Sequence, residues 1–205
     1  MRRLCDGHLT SPSCAPAKLV VVDDSYPPVK RAAYRQLDDE EYEEVWDRFY
    51  LKFGFDRSQG LNSPVINDPV PSVTFDLGVL VDGPNRATAV ASIEAEALRC
   101  FITAIPDAET LIVLDWQHPA YAFRPAIEAL DAQPKDFMDG YPGVYPNGDY
   151  YAYLTPDFSE GTFGHPWEPS LCVIGPRMID SLGRSLSTWL PIKRIDGQEP
   201  LDSLL

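Results

Sequence analysis

The chain has 205 residues, with 17 Lys+Arg against 31 Asp+Glu, a formal net charge of −14 and a sequence pI near 4.5. With 44% hydrophobic and 23% charged residues it is too apolar to be wholly disordered, and a domain of this size buries enough surface to hold a core without disulfides or a metal. The negative charge argues against binding a phosphate backbone, and no run approaches the roughly 18 apolar residues of a membrane span.

Met1-Arg2-Arg3 opens like a signal peptide, but Asp6 stands where an apolar stretch belongs, so a cytoplasmic protein is expected. Cys5, Cys14, Cys100 and Cys172 have no C-x-x-C spacing, which leaves zinc ribbons and thioredoxin-type chemistry without support. Cys100 and Cys172 read as small buried hydrophobes. Residues 1–35 form a Pro/Ser-rich leader with one apolar run, Leu19–Val22, that has the character of an edge strand.

A single domain is expected over 36–190. Asp38 followed by Glu41 makes a capping box, and Tyr42, Val45, Trp46, Phe49, Tyr50 and Phe53 recur at helical spacing until Gly54. The other face carries Asp39, Glu40, Glu43, Glu44 and Asp47. Val73–Leu77 reads as a strand, and a second helix runs from about Asn85 to Ile102, closed by Pro106. Leu111–Leu114 is an apolar run suited to a central strand, with Tyr121–Phe123 as its antiparallel neighbour. Residues 125–147, with four prolines, read mostly as a long surface loop with room for one short helical turn. Asp149–Thr155, Thr162–Phe163 and Leu171–Ile174 are further strands. Pro176 opens a last helix bearing Ile179, Leu182, Leu186 and Trp189. Residues 191–205 are expected to be an acidic tail, frayed from Asp196. The class is therefore α+β: an antiparallel or mixed sheet covered by about three helices. A doubly wound sheet would need regular alternation and a Gly-rich strand-to-helix turn, which are lacking.

Polar and aromatic residues gather at strand ends in three stretches: Leu114–Pro119 with Tyr121, Phe123 and Arg124; Pro146–Tyr151; and Gly161–Glu168. Asp115, His118, Asp149, His165 and Glu168 are the candidate chemical groups, and Trp116, Gln117, Tyr121, Tyr151 and Trp167 the candidate binding residues. His118 and His165 each precede Pro, which excludes a zincin-type helical pair. With Asp115, Asp149 or Glu168 they have the ligand types for a divalent ion, but no spacing is diagnostic, so neither metal nor cofactor is assigned. The ordinary alternative is loop histidines satisfied by backbone and carboxylates. Asp149 and Tyr151 should share a strand face opposite Tyr150. There is no G-x-S-x-G elbow, P-loop or G-x-G-x-x-G.

The three stretches, with the Trp46 helix and Pro71-Ser72-Val73-Thr74, resemble the bacterial family called domain of unknown function 2716, over roughly residues 36–190. The resemblance implies no activity for any residue. Acidity, compact size and the missing catalytic signatures together lead to the expectation of a non-enzymatic interaction protein. Its partner would be a basic protein, an immunity-type binder of a toxin being the sharpest version, with no role for nucleic acid or membrane. The alternatives are a small hydrolase-like or metal-assisted enzyme, or a small-ligand binder, using one Asp/His/Glu pocket.

Overall fold

A computed structural model describes residues 33–59, 63–130 and 141–200. The leader's Leu19–Val22 run, Cys5, Cys14 and the last residues of the tail lie outside that range. Strands β1 (Tyr34–Gln36), β2 (Ser72–Asp76), β3 (Leu111–Asp115), β4 (Tyr121–Phe123), β5 (Tyr151–Leu154), β6 (Gly161–His165), β7 (Ser170–Ile174) and β8 (Ile192–Ile195) form one eight-stranded sheet. Its order is β1-β4-β3-β5-β6-β7-β2-β8 and every pairing is antiparallel. The expected α+β class with an antiparallel sheet is what the chain adopts.

Helix α1 (Asp39–Phe53) begins at the Asp38/Glu41 capping box: the Glu41 N–H donates to the Asp38 carboxylate at 2.9 Å and the Asp38 N–H to Glu41 at 3.0 Å. Gly54, at φ 59°, ends it. Its Val45, Trp46, Phe49 and Phe53 pack on one sheet face against Leu114, Ala152, Leu154, Phe163, Cys172 and Ile174. Short helix α2 (Gly78–Val81) leads to α3 (Arg86–Ala104), whose Val90, Ile93, Ala97, Cys100 and Phe101 cover the opposite face with Leu111, Val113, Phe123, Tyr153, Leu171 and Val173. The strands thus alternate between two cores, and β6 and β7 are buried along their whole length. Both helices span close to the stretches their apolar spacing predicts.

The segment after β4 forms one helical turn, α4 (Pro125–Glu128). After β7 come α5 (Pro176–Met178), a π-helical stretch Ile179–Gly183 and α6 (Arg184–Leu186). Leu182 and Leu186 are buried, but the helix ends at Leu186, so Trp189, expected on the same stripe, lies in the turn beyond and is 42% exposed. Two further differences lie at the sheet edges. Tyr34 and Arg35, counted with the leader, belong to β1. Ile192–Ile195, counted with the tail, forms β8 and pairs with β2. Both are short strands whose pairing depends on distant partners, so no local pattern announces them.

Candidate functional site

The first polar constellation stands where β3 and β5 end on the same rim of the sheet. Asp115 is directly opposite Tyr151, so their side chains share the face that also carries Val113 and Tyr153. β5 begins at Tyr151, not at Asp149 as expected, and Asp149 lies in the bend before it, with its carboxylate still reaching Asp115 and His118. The Trp116 N–H extends the ladder by donating to the Tyr150 carbonyl at 3.2 Å. Gln117 then takes a left-handed conformation, φ 67°, and the His118 N–H donates to the Asp115 carbonyl at 3.1 Å, which folds the imidazole back over the strand end. The segment bearing Asp149 is tied to α3: Glu94 accepts the Val144 and Tyr145 N–H groups at 3.0 and 2.8 Å.

His118 Nδ1 lies 3.0 Å from Asp115 Oδ1 and 3.5 Å from Asp149 Oδ2. The Asp149 side chain is held from the other side, its Oδ1 accepting the Tyr150 N–H at 2.8 Å. The carboxylates are recessed, at 13% and 15% exposure, whereas the imidazole is 58% exposed. Burial pushes the Asp115 carboxyl up, against the pull of its hydrogen bond to His118. Burial also raises Asp149, against the Tyr150 N–H and the charges of His118 and Arg57. His118 is raised by its hydrogen bond to Asp115 and by both carboxylate charges. Tyr151 is pushed up to about 12 by burial and by the same two carboxylates. Tyr121 and Tyr42 are raised as well, first by burial, with Asp115 contributing to each.

Around this corner the Arg57 guanidinium lies 3.7 Å from the centre of the Trp116 ring, and Trp116 meets Tyr150 edge-on at 5.9 Å. Arg57 also lines a surface depression of about 390 Å³ with Tyr50, Phe55, Asp56 and Ser58. Trp167, 37% exposed, packs edge-on against Tyr150 at 4.8 Å. Of the candidate binding residues, Trp116, Gln117, Tyr121 and Tyr151 therefore border the corner, and Trp167 stands on the other side of Tyr150.

His165 and Glu168 do not join Asp115, His118 and Asp149, so the single pocket drawn from the sequence divides in two. His165 follows Phe163 on the α1 face, the reverse of the face carrying Asp115 and Asp149. It is buried: Nδ1 accepts the Glu168 N–H at 2.9 Å and Nε2 lies 3.1 Å from the Ser63 carbonyl, which fixes a neutral imidazole. Burial holds it below the usual histidine range. Glu168 belongs to a buried ionic network with residues the sequence did not single out. Arg194 of β8 reaches it at 2.5 and 3.1 Å and reaches Asp68 at 2.9 Å; Ser170 donates to Glu168 at 2.8 Å and Thr74 to Asp68 at 3.0 Å. Burial pushes the Glu168 carboxyl up, but Arg194 and Ser170 together bring it below its ordinary value. The network closes the sheet between β7, β2 and β8, a structural role in which every charged group is paired although Asp68 Oδ1 is buried without a hydrogen-bond partner.

The outer face of α1 carries Asp39, Glu40, Glu43, Glu44 and Asp47, all exposed. Glu44 pairs with Arg48 at 3.8 Å; Asp39, Glu40, Glu43 and Asp47 pair with no described cation. The cations of α1 reach sideways to the segment after β5: Arg48 lies over Phe158 and donates to the Pro156 carbonyl, and exposed Lys52 donates to the Asp157 carbonyl at 3.0 Å.

Among the described residues, no helix is long and apolar enough to cross a membrane. No solved structure matches the chain. A protein of Bacillus subtilis (strain 168), described as "Uncharacterized protein YxiI", is 34% identical over 119 residues, covering 56% of this chain and 71% of that one. The family match runs over residues 36–179, which takes in Asp115, His118, Asp149, His165 and Glu168 and leaves Arg194 outside. By that match, the chain belongs to the family described as "Protein of unknown function (DUF2716)".

Proposed function

We propose that the protein is a non-enzymatic cytoplasmic interaction protein that docks a basic protein partner on the outer face of α1, in the manner of an immunity protein neutralising a toxin. The observation that carries this reading is the exposed row Asp39, Glu40, Glu43 and Asp47, left without described cations while Arg48 and Lys52 are engaged by the Pro156 and Asp157 carbonyls. Such a field speeds encounter with a cationic partner and suppresses wrong ones. The division of the candidate residues adds support, since His165 and Glu168 serve the fold and, among the described residues, leave no nucleophile–base–orienter set at the rim.

The test compares proteins retained by the tagged full chain and by an Asp39→Lys/Glu40→Lys/Glu43→Lys/Asp47→Lys variant of unchanged circular dichroism. The expected result is a basic protein lost from the variant, whose purified form binds the wild type with an on-rate falling about tenfold or more as salt is raised from low to physiological strength. Identical retention by both, or turnover in a substrate panel that disappears in His118→Ala, refutes the reading.

A second reading, a metal-assisted or small-ligand site, is favoured by the convergence of Asp115, His118 and Asp149; Trp116 and the depression lined by Arg57 lie on the α1 side of the same rim. A ligand retained by the wild type and released by Asp149→Asn supports it; no ligand in a small-molecule panel above millimolar affinity removes it.

A further inference from the structure

We propose that Asp115, His118 and Asp149 form a binding site for a divalent transition-metal ion of the zinc type at the rim between β3 and β5. The inference deepens the second reading above and is independent of docking on α1.

Each residue offers one donor atom, and the three donors lie within 4.8 Å of one another. The imidazole donor stands 3.0 Å from one carboxylate oxygen and 3.5 Å from the other. Zinc–nitrogen and zinc–oxygen bonds of about 2.0–2.1 Å in a tetrahedron require donor–donor separations of about 3.3 Å. The two separations from the imidazole meet this within about 0.3 Å, and the carboxylate–carboxylate separation, within 4.8 Å, is closed by side-chain rotation. A bound ion would replace whichever proton bridges His118 to the carboxylates, because all three ligands bind in their deprotonated forms.

The donors come from elements fixed independently. Asp115 closes β3, the left-handed Gln117 turns His118 back, and Asp149 is oriented by the Tyr150 N–H, the kind of outer support that aims a ligand carboxylate. The mixed set matters. Two carboxylates alone would suit calcium or magnesium with added waters, whereas an imidazole among them favours Zn²⁺, Co²⁺ or Ni²⁺. The recessed carboxylates form the floor and the 58%-exposed imidazole the outer wall, so remaining coordination positions face solvent. A closed structural zinc site has four protein ligands; three ligands with an open side give an exchangeable ion that can hold water or an outside ligand.

Zn²⁺ titration by calorimetry and Co²⁺ titration by visible absorption on the full chain test the site. The leader contains Cys5, His8 and Cys14, residue types that can ligate zinc, so the measurements use a Cys5→Ser/His8→Ala/Cys14→Ser background. The expected result is one equivalent bound, a Co²⁺ spectrum of four- or five-coordinate intensity, and affinity weakened at least tenfold by His118→Ala and by Asp149→Asn, each with unchanged circular dichroism. The α1 charge-reversal variant should bind the ion as the wild type does, which separates failure of this site from failure of docking. Loss of binding with the leader substitutions alone, equal affinity in His118→Ala, or no saturation below millimolar Zn²⁺ overturns the proposal.

Discussion

Arg194→Met removes the guanidinium shared by Asp68 and Glu168 while keeping an apolar stem of similar length. Both carboxylates are nearly closed to solvent, at 2% and 4% side-chain exposure, so Asp68 would keep only Thr74, and Glu168 only Ser170 and Lys193 at 3.8 Å, where water cannot replace the lost partner. Removing one side of a buried ion pair costs about 3–5 kcal/mol, most of it the desolvation of the charge left behind. With a urea m-value of about 2 kcal/mol/M for a domain of this size, a loss of 4 kcal/mol moves the midpoint by about 2 M. The pH dependence identifies the cause. In the native protein Glu168 lies below its ordinary value, so its contribution is present above about 4.5 and is lost as pH falls through its native value. In the variant the stranded Glu168 carboxyl becomes more basic than in the unfolded chain, so the deficit should shrink as pH falls below about 5. Asp68→Asn/Glu168→Gln/Arg194→Met should recover much of the loss, since removing all the charges removes the reason for it. Urea unfolding followed by Trp fluorescence at pH 7.5 and pH 4 measures each quantity. A deficit below about 1 kcal/mol at pH 7.5, or one independent of pH, would refute the assignment of this network as an uncompensated-charge problem.

Gly161→Ala should prevent native packing, because at φ 147° an added Cβ would stand 1.9 Å from the Tyr153 carbonyl in the paired strand; soluble expression and thermal melting report it. Asp38→Ala should cost about 1 kcal/mol by removing the acceptor of the Glu41 N–H at 2.9 Å, read as a shift in urea midpoint. Burial of neutral His165 means the unfolded chain takes up a proton that the native state refuses, so its contribution is full above about pH 6.5 and declines as pH falls from there. Because His118 is raised and contributes with the opposite sign, losing its stabilisation as pH rises through its native value, the clean measurement is the difference between wild type and His165→Gln at pH 5 and 7.5. A difference that does not vary with pH contradicts the neutral assignment.

What could be read from the sequence was what short-range physics determines. The capping box and apolar spacing fixed α1 because all its signals lie within one helix. Leu111–Leu114 identified a two-sided strand because an unbroken apolar run has nowhere else to be buried. Alternation put Asp149 and Tyr151 on one strand face, but Asp149 reaches the Asp115 rim from a bend before β5. The same rule, applied from Phe163, would have separated His165 from Asp115 and Asp149. The partners of Glu168 were out of reach: Asp68 sits in a loop with no pattern of its own, and Arg194 belongs to a four-residue strand that looks like a polar tail until β2 is beside it. Arg57 was hidden for the same reason, since nothing near it in sequence indicates that Trp116 will form the surface on which it stacks.

The strand order has a consequence for how the chain reaches its native state. β2 lies between β7 and β8, with Ser72 opposite Ile174 and Val73 opposite Ile195, so neither neighbour exists while the first two-thirds of the protein is being synthesised. α1, α3 and the β3–β4 hairpin can form early from nearby residues, but Phe75, fully buried at the end, must wait for residues made about a hundred positions later. Closing such a loop is an entropic barrier that no local propensity offsets, which places this fold among slow, high-contact-order folders. During that interval β2 presents two unpaired edges and an exposed aromatic ring, making the nascent chain, rather than the finished protein, the form most exposed to aggregation and to chaperone capture.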